Sequence, residues 1–320
     1  MSYSAVITGV GSYLPQKVMT NDDMAKIVDT SDEWIRGRTG IQQRHIAAEG
    51  EVTSDLAAAA AEEALNNAGV SKDEIDLIIV ATTTPDLTMP STAAIVQKKL
   101  GIAQGAAFDV AAVCSGFVYG MSIVKAMIAS AQAKKALLIG AETMSRILDW
   151  EDRSTCVLFG DGAGAVVIEA QENTDRGIQV VQLRADGSQS DILNTTGGVS
   201  TDKQAGKLFM AGQEVFRHGV EKMAEISQEV MAEAGLSIDD VDWFIPHQAN
   251  ARIVQSIGRK LKIAPEKIIL TLHEHANTSA ASIPLAMSDA AGKGQIKEGQ
   301  IVVTPALGAG LTWGCCIIKW

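Results

Sequence analysis

Three segments of the sequence carry side chains that could take part in nucleophilic chemistry. Cys114 lies in DVAAVCSGF, His247 in PHQANARI and Asn277 in HANTSAASIP. A thiolate attacks carbon electrophiles, so Cys114 is a candidate nucleophile. A free cysteine is also one of the most frequently buried residue types, and a purely structural Cys114 is the alternative interpretation. The partners available to the thiol therefore decide between the two.

The residues around Cys114 predict a strand followed by a helix. Residues 106–110 (AAFDV) are typical of a strand end, and residues 115–131 carry apolar side chains at helical spacing. Cys114 is therefore expected near a helix N-terminus. Unsatisfied N–H groups and the helix dipole favour a thiolate there, so we expect a lowered thiol pKa.

The two candidate partners follow predicted strands in the second half of the chain. Residues 68–80 (AGVSKDEIDLIIV) are repeated as residues 234–246 (AGLSIDDVDWFIP), each a helix end followed by an apolar strand. His247 occupies the strand-end position that Ala81 has in the first copy, and Asn277 follows a second predicted strand, KIILTL. A buried structural histidine and an ordinary turn asparagine are the alternatives.

The repeat predicts two similar halves, residues 1–170 and residues 171–320. Apolar periodicity lapses in QENTDRG, residues 171–177, which places the boundary there. Continuous apolar strands that alternate with helices favour mixed, largely parallel sheets covered on both faces. Two such halves predict an α/β fold with five layers, α/β/α/β/α, and a site where loops of both halves converge.

Composition and charge exclude several classes of protein. The chain has 320 residues, a formal net charge of −11 and a pI near 5.0, which disfavours a general binder of nucleic acid or anionic membranes. The sequence has no signal-peptide pattern and no run long enough to span a membrane, so we expect a cytoplasmic protein. The four cysteines are expected to be free thiols, with Cys315 and Cys316 in a strand.

The motifs AAVCSGF, HQAN and NTSAASIP, with TSDEWI near the N-terminus and GLTWG near the C-terminus, carry a family resemblance. Essentially from end to end, the chain resembles β-ketoacyl-[acyl carrier protein] synthase III of the thiolase superfamily. The resemblance implies the thiolase fold, a homodimer and the first condensation of bacterial type II fatty acid synthesis. It also implies that no metal or redox cofactor is needed.

The same resemblance implies a role for each candidate residue. The Cys114 thiolate would attack an acyl-CoA thioester, and the N–H groups of Cys114 and Ala309 would hold the tetrahedral oxyanion. His247 and Asn277 would donate hydrogen bonds to the thioester carbonyl of malonyl-[acyl carrier protein]. They would thereby stabilise the enolate that forms as carbon dioxide leaves.

The resemblance further assigns residues to coenzyme A. Trp34 and Arg153 would sandwich the adenine, with two more residues nearby and three others along the pantetheine tunnel. An exposed tryptophan and ordinary surface arginines are the alternative. The complete assigned set is Thr30, Trp34, Arg38, Arg153, Gly212, Phe216 and Asn250.

A basic helix edge beside HQAN is a candidate docking surface for the acidic carrier protein. Arg252 and Arg259 lie two helical turns apart, and the apolar residues between them fall on the opposite side of the helix. Lys260 and Arg217 would extend this edge. A solvated helix face with no partner is the alternative.

Some positions differ from the pattern of many relatives. Ala276 stands where glycine is usual, Met89 stands where phenylalanine is usual, and Ala309 interrupts a glycine run. Met89 is expected to line the acyl pocket. Because methionine adapts to several shapes, acetyl is the default primer but a longer or branched one stays open.

Competing motif interpretations fail at particular residues. GVGSYL lacks the third glycine of a dinucleotide-binding loop, and HEHAN lacks the second histidine of a zinc site. ALGAGL lacks the second cysteine that a degradative or biosynthetic thiolase would carry. Two alternatives stay open: a ketosynthase III-like or type III polyketide synthase-like acyltransferase of secondary metabolism, and a non-catalytic module that binds acyl-CoA.

Overall fold

The computed structural model describes residues 3–320, which form thirteen strands and ten helices. The strands are β1 (Ser4–Tyr13), β2 (Lys17–Thr20), β3 (Gln43–Ile46), β4 (Leu77–Ala81), β5 (Ala106–Val110), β6 (Lys135–Thr143), β7 (Asp161–Gln171), β8 (Gly177–Ala185), β9 (Leu193–Thr195), β10 (Leu208–Met210), β11 (Trp243–Phe244), β12 (Ile301–Gly308) and β13 (Thr312–Lys319). The helices are α1 (Asn21–Met24), α2 (Asp32–Thr39), α3 (Thr53–Ala68), α4 (Thr92–Leu100), α5 (Gly116–Ala129), α6 (Arg153–Cys156), α7 (Gly212–Glu233), α8 (Ala251–Leu261), α9 (Leu272–His275) and α10 (Ser282–Gly292).

Two main sheets and three helical layers make the five-layered arrangement, as predicted. The first sheet has the strand order β1-β7-β6-β4-β5 and the second β11-β12-β13-β8. Helices α5 and α10 lie between the sheets and pack apolar side chains against both. Helices α3 and α4 cover the outer face of the first sheet, and α7 and α8 that of the second. Helices α5 and α10 fill the space between the sheets, so loops of both halves can meet only at the ends of this central helical layer.

The strand directions differ from the expectation of largely parallel sheets. Only the pairs β4–β5, β4–β6 and β11–β12 of the main sheets are parallel. The short turn between β12 and β13 forces an antiparallel pair, and β7 runs antiparallel to both β1 and β6. The predicted strand KIILTL is also wrong, since Ile268 makes only an isolated bridge to Phe244.

The sequence repeat corresponds to a repeated local structure. Each copy ends a helix with a left-handed glycine, Gly69 at φ +65° and Gly235 at φ +69°. Each then forms a short 3-10 turn with a capping box that begins at Ser71 or Ser237. The first main sheet uses residues 4–171 and the second residues 177–319. The division of the chain into two halves between residues 170 and 171 stays a prediction based on the sequence repeat.

The fold predicts a large penalty for a methyl group at Gly164 in β7. A Cβ there would lie 2.5 Å from the Leu285 nitrogen and 2.6 Å from the Pro284 carbonyl carbon of α10. Overpacking against backbone costs about 1–3 kcal/mol. We expect Gly164→Ala to lower the free energy of unfolding by about that amount in urea titrations. Gly187→Ala, with open space around its Cβ, is the matched control; equal midpoints for the two variants would contradict the packing.

Candidate active site

One cavity brings Cys114, His247 and Asn277 together, although they lie far apart in the sequence. Its volume is about 100 Å³, and all three residues line it. Cys114 reaches it from the first half of the chain, and His247 and Asn277 from the second. Loops from the two parts of the chain therefore meet at this cavity.

Cys114 is fixed by the turn in front of α5. It is the central residue of the 3-10 turn Val113–Ser115, and Val113 has φ +48°, a strained value for a β-branched residue. Behind it lies Gly308, where a Cβ would come within 2.7 Å of the Cys114 nitrogen. The end of β12 therefore has to approach the nucleophile without a side chain.

The electrostatics of Cys114 differ from the expected helix effect. Cys114 is 6% exposed, and burial raises the pKa of its thiol to about 12. The helix begins directly after Cys114, as the sequence predicts, but burial has the largest effect on the pKa of the thiol. Attack by this sulfur therefore requires a group that accepts its proton.

His247 is a neutral imidazole held in one orientation. Burial lowers its pKa to about 3, so it carries no charge near neutrality. Its Nδ1 lies 2.7 Å from the Ser282 hydroxyl oxygen, which also accepts from the Gln248 N–H at 3.3 Å. The Ser282 hydroxyl has one proton to donate, and within the described residues its hydrogen-bond acceptor is Nδ1, which favours the tautomer protonated at Nε2. This arrangement leaves Nε2–H as the donor of His247.

The side-chain oxygen of Asn277 is hydrogen-bonded, whereas its side-chain nitrogen is available. Its Oδ1 accepts from the Ser279 N–H at 2.9 Å, which leaves the two Nδ2 protons free to donate. The main chain of Asn277 is pinned to the first half by hydrogen bonds with Leu158 and Gly160. Ala276, just before it, has φ +56°, so the usual glycine at that position is explained by conformation.

Ala309 lies in the turn between β12 and β13, next to Gly308. Its N–H donates to no backbone carbonyl among the described turns and loops. Ala309 lines an adjoining cavity of about 140 Å³ that shares the walls Val113, Met144 and Leu193 with the cavity of Cys114. The free N–H is compatible with the oxyanion role, which stays a prediction.

The three residues assigned to the pantetheine tunnel lie on α7 and at the start of α8. Gly212, Phe216 and Asn250 line the same cavity as Cys114. Asn250 also caps α8, since its side chain accepts from the Arg252 N–H at 2.9 Å. Gly212 and Phe216 lie in the first turns of α7.

The residues assigned to the adenine gather around Trp34 on α2. The guanidinium carbons of Arg38 and Arg153 lie 5.0 and 4.8 Å from the Trp34 ring centroid. A base between Trp34 and Arg153 would need two contact distances of about 3.5 Å each, so the sandwich is closed in this structure. Arg153 is exposed but held by a 2.8 Å hydrogen bond to the Asp29 carbonyl oxygen, which it would have to break to move away. The buried Thr30 hydroxyl, next to Asp29, has no hydrogen-bond partner.

The predicted basic edge is exposed beside the cavity. Arg217, Arg252, Arg259 and Lys260 are all exposed, and none belongs to an ion pair within residues 3–320. The opposite side of α8 is buried as predicted, with Ile253, Val254, Ile257 and Leu261.

Met89 does not line the acyl pocket of its own chain. It is 82% exposed in the loop between β4 and α4, which the Asp86 carboxylate and the capped start of α4 hold at the surface. Apolar side chains that sequence reasoning did not assign form the walls instead, because their positions follow only from packing. They are Val113, Met144, Leu158, Phe159, Leu193, Leu208, Val215 and Leu307.

Two further observations describe the chain as a whole. Within residues 3–320, no three His, Cys, Asp or Glu side chains gather in a geometry that could hold a metal ion. Among the described helices, none combines the length and apolar character that crossing a membrane requires.

Comparison with known proteins decides the family. The model of 3-oxoacyl-[acyl-carrier-protein] synthase III matches residues 108–187, and the model of the synthase III C-terminal region matches residues 231–320. A β-ketoacyl-[acyl-carrier-protein] synthase III of Dinoroseobacter shibae is 54% identical, with 100% of both chains covered. The chain belongs to the synthase III family.

Other synthase III proteins agree with this assignment. The relative from Rhodospirillum centenum is 55% identical over 100% of both chains. The crystal structure of the Aquifex aeolicus 3-oxoacyl-[acyl-carrier-protein] synthase III superposes with a TM-score of 0.95 at 45% identity, covering 99% of this chain and 100% of that one. The thiolase fold predicted from the sequence is confirmed.

The geometry of this synthase III predicts that Ser282 acts through His247. Ser282→Ala removes the hydroxyl that orients Nδ1, so the imidazole can adopt the other tautomer and lose its Nε2–H donor. We expect the condensation rate to fall about tenfold to 100-fold, with little change in acylation of Cys114. Steady-state condensation and single-turnover acylation measure the two steps. Ser130→Ala is the control, since this exposed hydroxyl at the end of α5 donates to the Met127 carbonyl of its own helix; equal loss in both steps would contradict this role.

Proposed function

We propose that this chain joins an acyl-CoA primer to malonyl-[acyl carrier protein] by decarboxylative Claisen condensation, the reaction that initiates type II fatty acid synthesis. Full-length identity above 50% to proteins named for this synthase supports the proposal. The observation that carries it is the single cavity that holds Cys114, His247 and Asn277. These side chains supply one nucleophile and two neutral hydrogen-bond donors.

In the first step, the Cys114 sulfur attacks the thioester carbonyl of acyl-CoA. The carbonyl oxygen becomes an oxyanion, which the N–H groups of Cys114 and Ala309 stabilise. Collapse of this intermediate breaks the bond to the coenzyme A sulfur and leaves an acyl-Cys114 thioester. Trp34, Arg38 and Arg153 bind the nucleotide end outside the cavity.

In the second step, malonyl-[acyl carrier protein] enters the same cavity. His247 Nε2–H and Asn277 Nδ2–H donate to its thioester oxygen, where negative charge accumulates as carbon dioxide departs. The enolate carbon attacks the acyl-Cys114 carbonyl, forms the new carbon–carbon bond and releases the sulfur. The electron pair of the lost carboxylate thus becomes the nucleophile, and no redox cofactor is required.

The cavity sizes support a short primer. The space beside Cys114 is about 100 Å³ and the adjoining space about 140 Å³, both well below the roughly 300–1,000 Å³ of drug-sized sites. Acetyl is therefore the default primer. Met144 and Leu193 stand between the two spaces and would control access for longer chains.

The open edge of β5 supports a homodimer. Within residues 3–320, β5 pairs only with β4, so its outer edge is unsatisfied. The neighbouring loop exposes Leu87 and Met89 at 54% and 82%, and apolar side chains beside an open strand edge are typical of an interface. A cytoplasmic location is part of the same proposal.

The acyl-enzyme is directly testable by mass spectrometry. After exposure to acetyl-CoA, we expect the intact chain to gain about 42 Da at Cys114. Cys114→Ser should show no such gain, while Cys156→Ser should still acquire it. A non-catalytic acyl-CoA binding module would show no covalent gain in any of the three proteins.

The basic edge is testable by charge reversal. Arg252→Glu places a negative charge against an acidic carrier protein, so KM for malonyl-[acyl carrier protein] should rise about tenfold. The increase should shrink at high salt because exposed charges are screened. Lys297→Glu, an exposed lysine outside this edge, is the matched control. Equal effects of the two reversals would place the docking surface elsewhere.

A further inference from the structure

Glu142 is a buried carboxyl group next to the nucleophile that the steps above do not use. It lies on β6 with no exposed surface. Its Oε2 accepts from the Thr84 hydroxyl at 2.7 Å and from the N–H groups of Thr83 and Thr84 at 3.0 and 3.1 Å. Its Oε1 has no hydrogen-bond partner, and Glu142 belongs to no ion pair within residues 3–320. One oxygen is therefore saturated, and the other has no partner at full hydrogen-bond geometry, although the Ser279 hydroxyl and the Ala280 N–H lie close to the carboxyl group.

The turn Ser279–Ala281 lies between Glu142 and Cys114. A Cβ on Gly140, two residues before Glu142 on the same face of β6, would lie 2.2 Å from the Ala280 carbonyl oxygen. A Cβ on Gly116, two residues after Cys114, would lie 3.7 Å from the Ala280 Cβ. The turn therefore contacts the strand of the carboxyl group and the helix of the nucleophile at once.

The Ser279 hydroxyl acts on both groups. Burial raises the pKa of the Cys114 thiol and of the Glu142 carboxyl, and the neighbouring Ser279 hydroxyl opposes that rise in each. Yet Ser279 Oγ has no partner at full hydrogen-bond geometry, and Ser279 is held at φ +49° by the Asn277 carboxamide. The Ser279 hydroxyl therefore lies near the Cys114 thiol and the Glu142 carboxyl without a full hydrogen bond to either.

We propose that Glu142 accepts the proton of Cys114 through the Ser279 hydroxyl. The thiol S–H bond breaks and its proton passes to Ser279 Oγ, while the Ser279 hydroxyl proton passes to Glu142 Oε1. The negative charge moves from carboxylate to sulfur, so the two groups together hold one charge during the transfer. Two charges would be costly there, since the Glu142 charge itself raises the pKa of the Cys114 thiol.

The proton balance closes over the proposed cycle. Coenzyme A departs as a thiolate and takes a proton from solvent, while Glu142 keeps the proton of Cys114 during the acyl-enzyme stage. When condensation releases the Cys114 sulfur, the proton returns along the same path. One solvent proton is consumed for each carbon dioxide released from a carboxylate, as the overall reaction requires.

His247 is the less suitable acceptor. Its Nδ1 is occupied by Ser282, so the remaining position of its ring is Nε2. Nε2 has to carry a proton when it donates to the malonyl thioester, and a neutral imidazole with that proton has no free lone pair for the thiol. The conflict does not arise when Glu142 accepts the thiol proton and His247 donates to the malonyl thioester.

The inference rests on the proposed function, so acetylation of Cys114 in the unmodified protein is established first. Rapid-quench acylation by acetyl-CoA, without malonyl-[acyl carrier protein], then isolates the step. We expect Glu142→Gln and Ser279→Ala each to slow it about 100-fold, with the double variant no slower than either alone. The variant rates should rise with pH as hydroxide replaces the lost acceptor, more steeply than that of the unmodified protein.

Decarboxylation of malonyl-[acyl carrier protein] distinguishes this positioned relay from a structural role. It depends on His247 and Asn277, so both single variants should retain it within about threefold, with unfolding temperatures near that of the Ser130→Ala control. Unchanged acylation in either variant, losses that multiply in the double variant, or equal loss of both activities would each overturn the relay. Ser279→Ala removes only a hydroxyl, which keeps the test available if Glu142→Gln fails to fold.

Discussion

The site depends on one close approach between the two halves of the chain. The turn Ser279–Ala281 from the second half enters between β6 and α5 of the first, and the glycine at position 140 leaves room for it. This contact sets Asn277 opposite Cys114 and brings Ser279 to Glu142. The main-chain bonds of Asn277 with Leu158 and Gly160 hold the same approach from the other side. The layers of the fold serve to make this contact rigid.

The close approach of the two halves excludes water from the site, and this desolvation sets the protonation states of Cys114 and His247. Burial keeps the Cys114 thiol protonated and the His247 imidazole neutral. The site therefore cannot rely on a resident ion pair between cysteine and histidine. Neither the cysteine nor the histidine carries a charge at rest, and fixed N–H donors are strongest in such a poorly solvated space.

The sequence predicted the layers, the buried face of α8 and the meeting of Cys114, His247 and Asn277, because repeats and apolar periodicity report which faces are buried. It failed at KIILTL, where apolar content without pairing partners gave no strand. It also failed at the pKa of Cys114, since helix position is local whereas desolvation depends on every layer packed around the residue. Ser282 and Glu142 were missed because a hydrogen bond between distant segments leaves no pattern in spacing.

The stack of Arg153 on Trp34 distinguishes the two thioesters that the proposed cycle needs. In the proposed cycle, a nucleotide whose base binds between Trp34 and Arg153 would first displace the guanidinium from a cation–π contact worth about 0.5–1 kcal/mol. A pantetheine arm on a carrier protein has no base and would not need this displacement. The stacked arginine would therefore oppose entry of coenzyme A thioesters without opposing entry of carrier-protein thioesters.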